Sequence, residues 1–378
     1  MRTCAAPMAA GIHQLSRAYP LRSRLTDDGR LQIGGCDALE LAKEFGTPAL
    51  IVAEDDIRTR VRAFKDAFAA RTDDFEVHFA AKAFACTPVL RLMAEEGLAC
   101  DVAGGGELHM ALKAGFDPAR IHLHGNAKSR RELEEAHDAG VGHVVLDNMR
   151  DIERLDASAK LELEGLHLHI GSQIYDVGSF RTALEAMAGL ATHGMVNLGG
   201  GLGVAYVAAE HPPSIEDYVA AKVGAVRDVL GRDVRILDEP GRALVANSTV
   251  TLYSVETIKR NVDVYVAVDG GMSDNLRPML YGARYEAQIA SRFGGGTYCH
   301  LVGKHCESGD LIARDAELAD PRVGDVVATP ATGAYGYAMA NTYNGVPRPP
   351  VVLVKDGDAR LVVRRETYDE LTARDVGS

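Results

Sequence analysis

The sequence predicts an α/β protein that combines a (β/α)8 barrel of the TIM type with a mostly antiparallel C-terminal β domain. Three observations support this prediction. Short apolar runs alternate with amphipathic stretches from about residue 50, and eight such runs can be counted up to Asp269. Strands that alternate with helices form parallel sheets with right-handed crossovers. After Asp269 the chain carries short β-rich segments separated by glycine and proline.

The first repeating unit begins with a helix predicted over residues 54–70, where four apolar residues recur at helical spacing: Ile57, Val61, Phe64 and Phe68. The run VHFAAK follows, and it is the first predicted barrel strand. Further helices are predicted over 129–140 and 214–231. The other predicted strands are 99–103, 121–125, 143–147, 166–170, 195–199, 235–239 and 264–269. An open doubly wound sheet is the alternative, since the count depends on short runs.

These elements divide the chain into three predicted parts. Residues 50–270 form the barrel, and residues 271–378 form the β domain. The segment 251–260 is strand-like and could belong with the β domain instead. Residues 1–49 precede the first barrel unit, and we expect them to pack with the β domain.

Composition excludes several classes of protein. The 378 residues include 41 basic and 53 acidic side chains, a formal charge of −12 that disfavours nucleic-acid binding. No apolar run approaches the roughly 20 residues of a membrane span. The N-terminus does not resemble an export signal. We therefore expect a cytoplasmic protein with reduced thiols, because its six cysteines show no CxxC spacing: Cys4, Cys36, Cys86, Cys100, Cys299 and Cys306.

Polar residues fall where the predicted strands end, which is where a (β/α)8 barrel carries its functional groups. Lys82 ends the first strand within the apolar stretch FAAKAF; its ammonium could be an activated nucleophile or simply reach solvent. The loop GGGLG, which includes Gly200 and Gly201, could present backbone N–H groups to an anion, although such turns also occur for steric reasons. Further phosphate donors could come from Gly241, Arg242 and Ser172.

Glu239 ends a buried apolar run, where a carboxylate usually has a cationic partner. It could keep the ring nitrogen of a pyridoxal cofactor protonated, or it could form a salt bridge with Arg242. Two HxH pairs permit a rival hypothesis, a metal-dependent barrel hydrolase. Its ligands would be drawn from His122, His124, His167, His169, Lys82 and Asp269.

The β-rich region also carries candidate residues. Cys306 and Glu307 are adjacent and could serve as proton donor and cation binder, or they could be a small buried thiol beside a surface carboxylate. Arg277 and Tyr281 could bind a substrate carboxylate. Tyr335 could reach a phosphate or belong to the core.

In combination these motifs are specific, and the chain resembles the diaminopimelate decarboxylases from about residue 45 to residue 370. These enzymes belong to the alanine-racemase-like group of pyridoxal 5'-phosphate (PLP) enzymes. The resemblance depends on motifs in the family's order: FAAKAF, GGGELHMAL, HGNAKS, HLHIGSQI, NLGGGLGVAY, EPGRALV, VDGGMSDNLRPMLY and CESGD. Two positions depart from the family pattern, since Phe84 replaces an asparagine and Gly104 a serine.

The resemblance implies a PLP-binding barrel and a role for each cofactor residue. Lys82 would hold PLP covalently through its amine, His169 would stack on the ring, and Glu239 would pair with the ring nitrogen. The phosphate would be held by Ser172, Gly200, Gly201, Gly241 and Arg242. Tyr335 would contact both the cofactor and the substrate.

The resemblance also implies a substrate and an assembly. The reaction would be decarboxylation of meso-2,6-diaminopimelate to L-lysine, with Arg242, Arg277 and Tyr281 at the distal end of the substrate. In a homodimer the partner would supply Cys306 as proton donor and Glu307 to hold the distal ammonium. A related decarboxylase of ornithine, arginine, carboxynorspermidine or a carrier-bound amino acid is the alternative.

Overall fold

The computed structural model describes residues 15–148, 162–191, 193–231 and 233–377. Within these ranges no helix is both long enough and apolar enough to cross a membrane. The α-helices are Ala38–Phe45, Glu54–Ala69, Thr87–Glu95, Gly105–Ala114, Arg130–Ala139, Ser179–Met187, Ile215–Leu230, Arg242–Val245, Arg277–Tyr281, Gly336–Met339 and Tyr368–Thr372.

A parallel sheet forms the first half of the fold. Its strands are Phe75–Ala80, Ala99–Val102, Ile121–Leu123, His143–Val144, Gly165–His167, Met195–Asn197 and Arg235–Asp238. Phe75–Ala80, the first of these strands in the chain, pairs with Arg235–Asp238, the last, so that the sheet curls toward a barrel. Helices pack outside it: Glu54–Ala69 buries Ile57, Val61, Phe64 and Phe68, the apolar positions predicted from helical spacing.

The second sheet is mostly antiparallel. It contains the strands Ala49–Ala53, Thr249–Arg260, Val264–Val268, Gln288–Ile289, Thr297–Val302, Leu311–Leu318, Val326–Pro330, Val351–Lys355 and Asp358–Val363. Thr249–Arg260 is its longest strand and pairs with three different neighbours. The predicted class, a parallel α/β unit with a separate mostly antiparallel sheet, is therefore confirmed.

The predicted eighth barrel strand, 264–269, is wrong. Val264–Val268 pairs with Thr249–Arg260 and Thr297–Val302 in the second sheet. The parallel sheet consequently has seven strands among the described residues. An apolar run of five residues suits a strand of either sheet, and its pattern alone does not tell which sheet it joins.

The N-terminal residues of the described chain pack on the second sheet. Short strands at Arg24–Leu25, Leu31–Ile33 and Cys36–Asp37 lead into the helix Ala38–Phe45. Leu31 and Ile33 are fully buried in one cluster with Val250, Leu252 and Val354 of the second sheet. Asp37 caps the helix by accepting the backbone N–H of Leu39 at 2.8 Å.

Candidate active site

The candidate residues of the parallel sheet lie at the carboxyl ends of its strands. Lys82 is on a short 3₁₀ turn, Ala81–Ala83, directly after the strand Phe75–Ala80, and its side chain is exposed. Two other predicted residues reach this turn. Tyr335 donates its backbone N–H to the carbonyl of Ala83 at 2.8 Å. A Cβ on Gly241 would lie 3.0 Å from the Cβ of Ala83, so glycine permits this close approach.

The glycine-rich loop lies opposite this turn. Gly201 has a φ of +116°, a conformation that favours glycine. A Cβ on Gly200 would lie 2.1 Å from the carbonyl oxygen of Glu239, which excludes any side chain there. The N–H of Gly200 approaches Nδ1 of His169 at 3.3 Å. The loop thus forms a cradle of backbone amides next to an imidazole.

Arg242 joins the loops of this face. Its Nη2 donates to Oγ of Ser172 at 2.9 Å, and Nη1 donates to the hydroxyl of Tyr206. The guanidinium also lies 4.9 Å from the ring centroid of Tyr335. Ser172, Arg242 and Tyr335, which are far apart in sequence, are therefore neighbours. The salt bridge between Arg242 and Glu239 that the sequence left open is not among the contacts of either residue.

Glu239 is the most heavily coordinated carboxylate of the site. It accepts a hydrogen bond from Nδ2 of Asn197 at 2.5 Å, and Nε2 of His167 and His124 lie 3.1 and 3.3 Å away. Burial would raise the pKa of Glu239, but hydrogen bonds from the two histidines outweigh it and hold that pKa well below its ordinary value. The buried carboxylate is consequently ionised.

A second layer of charge lies beneath Glu239. Asp101 is buried 3.0 Å from Nδ1 of His78 and 3.6 Å from Nε2 of His124. Burial lowers the pKa of His124, but the hydrogen bonds with Asp101 and Glu239 dominate and raise it to about 10. By contrast, burial and the nearby charge of Lys82 lower the pKa of His169, so that its ring stays neutral.

The ligand set of the metal hypothesis does not come together. Asp269 lies in the second sheet, where it accepts hydrogen bonds from Thr47 at 2.6 Å and from the N–H of Ser254 at 2.9 Å. Within each HxH pair the two rings separate: His122 lies with His78 and Asp101, whereas His124 of the first pair and His167 of the second face Glu239. The ligand atoms of each of these two groups lie close enough together to hold a metal ion. Neither cluster includes Lys82.

The candidates of the second half form a looser group. Arg277 is buried, with its guanidinium 4.5 Å from the ring centroid of Tyr206 and hydrogen-bonded to Tyr285. Tyr281 and Cys306 are exposed. The N–H of Cys306 donates to Oδ1 of Asn344 at 2.9 Å. Glu307 has only local polar contacts among the described residues, with Ser308, Gly309 and Asp310.

Sequence reasoning missed several residues of the site. Asn197 and Asp101 are buried polar residues on strands, and Tyr206 and Tyr285 hold the two arginines. The available signal was a polar side chain inside an apolar strand, such as the Asn in MVNLG. Of the two family departures, Phe84 has a packing reason, since it is fully buried and stacks on Tyr337 at 5.3 Å.

Comparison with known proteins identifies relatives over almost the whole chain. The family model "Pyridoxal-dependent decarboxylase, pyridoxal binding domain" matches residues 54–160 and 156–246. Diaminopimelate decarboxylase of Mycobacterium tuberculosis is 41% identical over 447 aligned residues, which cover 97% of this chain and 99% of that protein. The Bacillus subtilis enzyme of that name is 38% identical, covering 94% and 97%.

Solved structures agree with these relatives. Diaminopimelate decarboxylase from M. jannaschii in complex with L-lysine superposes with a TM-score of 0.88 at 29% identity, covering 95% of this chain and 98% of that one. The alignment with the M. tuberculosis protein extends over 447 positions although this chain has 378 residues. That relative therefore carries segments with no counterpart here.

Proposed function

The chain belongs to the pyridoxal-dependent decarboxylases, and from that premise we propose which of its residues bind PLP and decarboxylate meso-diaminopimelate to L-lysine. It is a PLP-dependent amino-acid decarboxylase of the diaminopimelate type. One observation carries the assignment of residues. The ionised carboxylate of Glu239, the glycine cradle at residues 199–201 and the exposed amine of Lys82 all lie at the same ends of parallel strands.

The residues present fit PLP. A Cβ on Gly200 would collide with the carbonyl of Glu239, so the loop carries no side chain there. The N–H of Gly200, which approaches Nδ1 of His169 in the structure, and the N–H of Gly201 would bind the phosphate when it is present. Ser172 and Arg242 would add a hydroxyl and a guanidinium to this phosphate site. Gly241 lets the loop before Arg242 approach the turn that carries Lys82. Lys82 would bind the cofactor covalently, and Tyr335 would contact it from the second half.

Bound PLP supplies an electron sink for the substrate's α-carbon. Glu239 offers an anion that would accept a hydrogen bond from a protonated ring nitrogen and so keep the ring electron-poor. His169 offers a neutral imidazole to the ring face and adds no competing positive charge. Lys82 would hold the cofactor through its amine, the group that the substrate's amine would have to replace on the cofactor.

The second half of the fold is proposed to complete the substrate site. Arg277 and Arg242 place two cations near the tyrosines of the cleft, and a diamino dicarboxylate presents a distal carboxylate to them. Tyr281 and Glu307 would contact the same distal amino-acid group. Cys306 would deliver the proton that replaces CO₂ at the α-carbon.

The exposure of Cys306 and of nearby apolar side chains supports a homodimer in which Cys306 and Glu307 act in the partner's site. Cys306 faces outward, and exposed apolar side chains lie on the nearby helix Arg277–Tyr281: Met279, Leu280 and Tyr281. A Cβ on Gly309, close to Cys306 in sequence, would lie 3.4 Å from Met279, so the helix and the cysteine loop form one surface. Such a surface is typical of a protein interface.

The test is an assay of the purified protein with PLP and meso-diaminopimelate, in which L-lysine and CO₂ are measured beside parallel reactions with ornithine and arginine. We expect lysine to form far faster than either other product. The Lys82→Ala variant should lose both turnover and the absorbance of covalently bound PLP. Lys128→Ala, which removes another lysine near a strand end, should retain that absorbance band.

Two results would contradict parts of this proposal. Faster CO₂ release from ornithine or arginine would keep the cofactor residues but reject the assignment of the distal site. Normal turnover by Lys82→Ala would reject the lysine assignment itself.

A further inference from the structure

Lys222 is a fully buried cation that the proposed mechanism does not use. It lies on the helix Ile215–Leu230, which follows the glycine-rich loop in the chain. Burial of an ammonium is costly unless its donor hydrogens are paired. The partners of Lys222 therefore indicate what its burial achieves.

Four oxygen atoms surround Nζ of Lys222. It donates to the backbone carbonyls of Gly199 at 2.8 Å and Leu198 at 3.2 Å. It also donates to the hydroxyl of Tyr218 and to the carboxylate of Asp238, and Tyr218 in turn donates to Asp238 at 3.1 Å. Of these four oxygens, one belongs to Gly199 of the glycine-rich loop and one to Leu198, directly before that loop. A third belongs to Asp238, the residue that precedes Glu239.

Gly199 connects this cluster to the proposed cofactor site. Its carbonyl also accepts the backbone N–H of Glu239 at 3.0 Å, and its own N–H donates to Oδ1 of Asn197 at 2.9 Å. Asn197 in turn donates to the carboxylate of Glu239. Gly199 has a φ of +59°, and a Cβ there would lie 2.8 Å from Nδ1 of His169. The orientation of the peptide after Gly199 therefore affects both Glu239 and the next two amides of the loop.

We propose that Lys222 and Asp238 form a buried positioning pair that fixes the 198–201 loop and thereby sets its affinity for a phosphate group. The inference rests on the proposed function, in which this loop holds the phosphate of PLP. Asp238 compensates the charge of Lys222, while the lysine holds the carbonyls of Leu198 and Gly199 in place. The pair acts through the loop and does not touch the cofactor.

The test compares the binding of PLP with that of pyridoxal, which lacks the phosphate, to the full-length chain after removal of cofactor. The variant Lys222→Met/Asp238→Leu removes both charges together, so that neither is left buried without a partner. We expect the Kd for PLP to rise at least about tenfold, because charge-assisted phosphate contacts depend on geometry. The Kd for pyridoxal should rise by a clearly smaller factor, because pyridoxal shares the contact with Glu239 but does not use the loop's phosphate contacts.

A matched control removes another largely buried ion pair. Arg60 and Asp56 lie 2.8 Å apart on the helix Glu54–Ala69, and Arg60→Met/Asp56→Leu should leave the ratio of the two Kd values unchanged. An equal loss of affinity for PLP and pyridoxal in the Lys222 variant would indicate a general structural role and overturn the inference. Unchanged affinity for both would overturn it as well.

Two further results separate the inference from its premise. If the double variant does not melt cooperatively, Asp238→Asn decides the question: a smaller rise in the Kd for PLP alone supports the pair, and no change rejects it. If the wild-type chain binds PLP no more tightly than pyridoxal, the phosphate role of the loop fails first, whatever Lys222 does.

Discussion

The two halves of the site differ in how firmly their polar residues are held. In the parallel sheet, Glu239 has three side-chain partners, and Asn197 links it to the glycine loop. In the second half, Cys306 is exposed, and its hydrogen bond to Asn344 is made by its backbone N–H. The chain therefore buries Glu239 and Asn197 in the proposed cofactor half, whereas in the other half it buries Arg277 but leaves Cys306 at its surface.

This difference indicates where chemistry can be preorganised in one chain. Buried charges are tolerated around Glu239 because acids and histidines alternate: Asp101, His124, Glu239 and His167. An exposed thiol has no such surroundings and gains a defined position only when something covers it. Substitutions in the two halves should consequently fail in different ways.

The largest effect in the cofactor half, after loss of Lys82, is expected at Glu239. Glu239→Gln keeps the shape of the side chain but removes the charge that would pair with the ring nitrogen in the proposed site. We expect kcat to fall by about 10²- to 10³-fold, in line with the loss of one preorganised electrostatic contact. PLP should still bind to Lys82, which absorbance would show.

Glu164→Gln is the control for this prediction. Glu164 also lies against a histidine, His143 at 2.8 Å, but it is exposed before the strand Gly165–His167 begins. The kcat of the Glu164→Gln variant should be close to that of the wild type. A Glu239→Gln variant with a similarly normal kcat would remove Glu239 from the catalytic site.

A smaller effect is expected in the outward half. Cys306→Ala should lower kcat by about 10²-fold, the scale of a lost proton donor, without any change in PLP absorbance. If the partner supplies this thiol, mixing Cys306→Ala with Lys82→Ala subunits restores one complete site in each mixed dimer. An equal mixture that exchanges freely should recover roughly a quarter of wild-type activity.

The control mixture combines Lys82→Ala with the double variant Lys82→Ala/Cys306→Ala, in which no complete site can form. It should stay inactive. Recovery by the first mixture alone would support sharing of sites between subunits. Failure of the first mixture, despite proven subunit exchange, would place Cys306 in the site of its own chain.

The sequence predicted the parallel unit well because its signals are local. Each strand is short and apolar, and the helix Glu54–Ala69 has a clear apolar face. It failed at Val264–Val268, because periodicity cannot say which sheet an apolar strand joins. The choice of sheet depends on pairing with Thr249–Arg260. The sequence had not decided whether that segment belongs to the barrel or to the β domain.

The site could be predicted in part, again because some of its signals are local. Lys82, Glu239 and the glycine loop stand out at strand ends, whereas Lys222 and Asp238 looked like an ordinary helix lysine and strand acid. Their importance comes from contacts between residues 16 or more positions apart, such as that of Lys222 with Asp238. No local pattern encodes such a contact.

The smallest predicted effect concerns the pH dependence of stability in the buried layer beneath Glu239. Asp101, Glu76 and the ring of His122 surround His78. Burial opposes its protonation, but Asp101 outweighs burial and raises its pKa to about 9. Because the folded pKa exceeds the ordinary value of about 6.5, this stabilisation is fully present below pH 6.5 and is lost as the pH rises through about 9.

Urea unfolding of the wild type between pH 6.5 and 10 should therefore show stability falling with pH, and His78→Gln should flatten part of that fall. His109→Gln, on the exposed face of the helix Gly105–Ala114, is the control and should leave the slope unchanged. Because the pKa of His124 is also raised, to about 10, the stability of the His78→Gln variant should still fall as the pH rises, but less steeply than that of the wild type. An identical slope in wild type and His78→Gln would mean that the pair of His78 and Asp101 does not hold its proton in the folded chain. The positive charge beneath Glu239 would then depend on His124 alone.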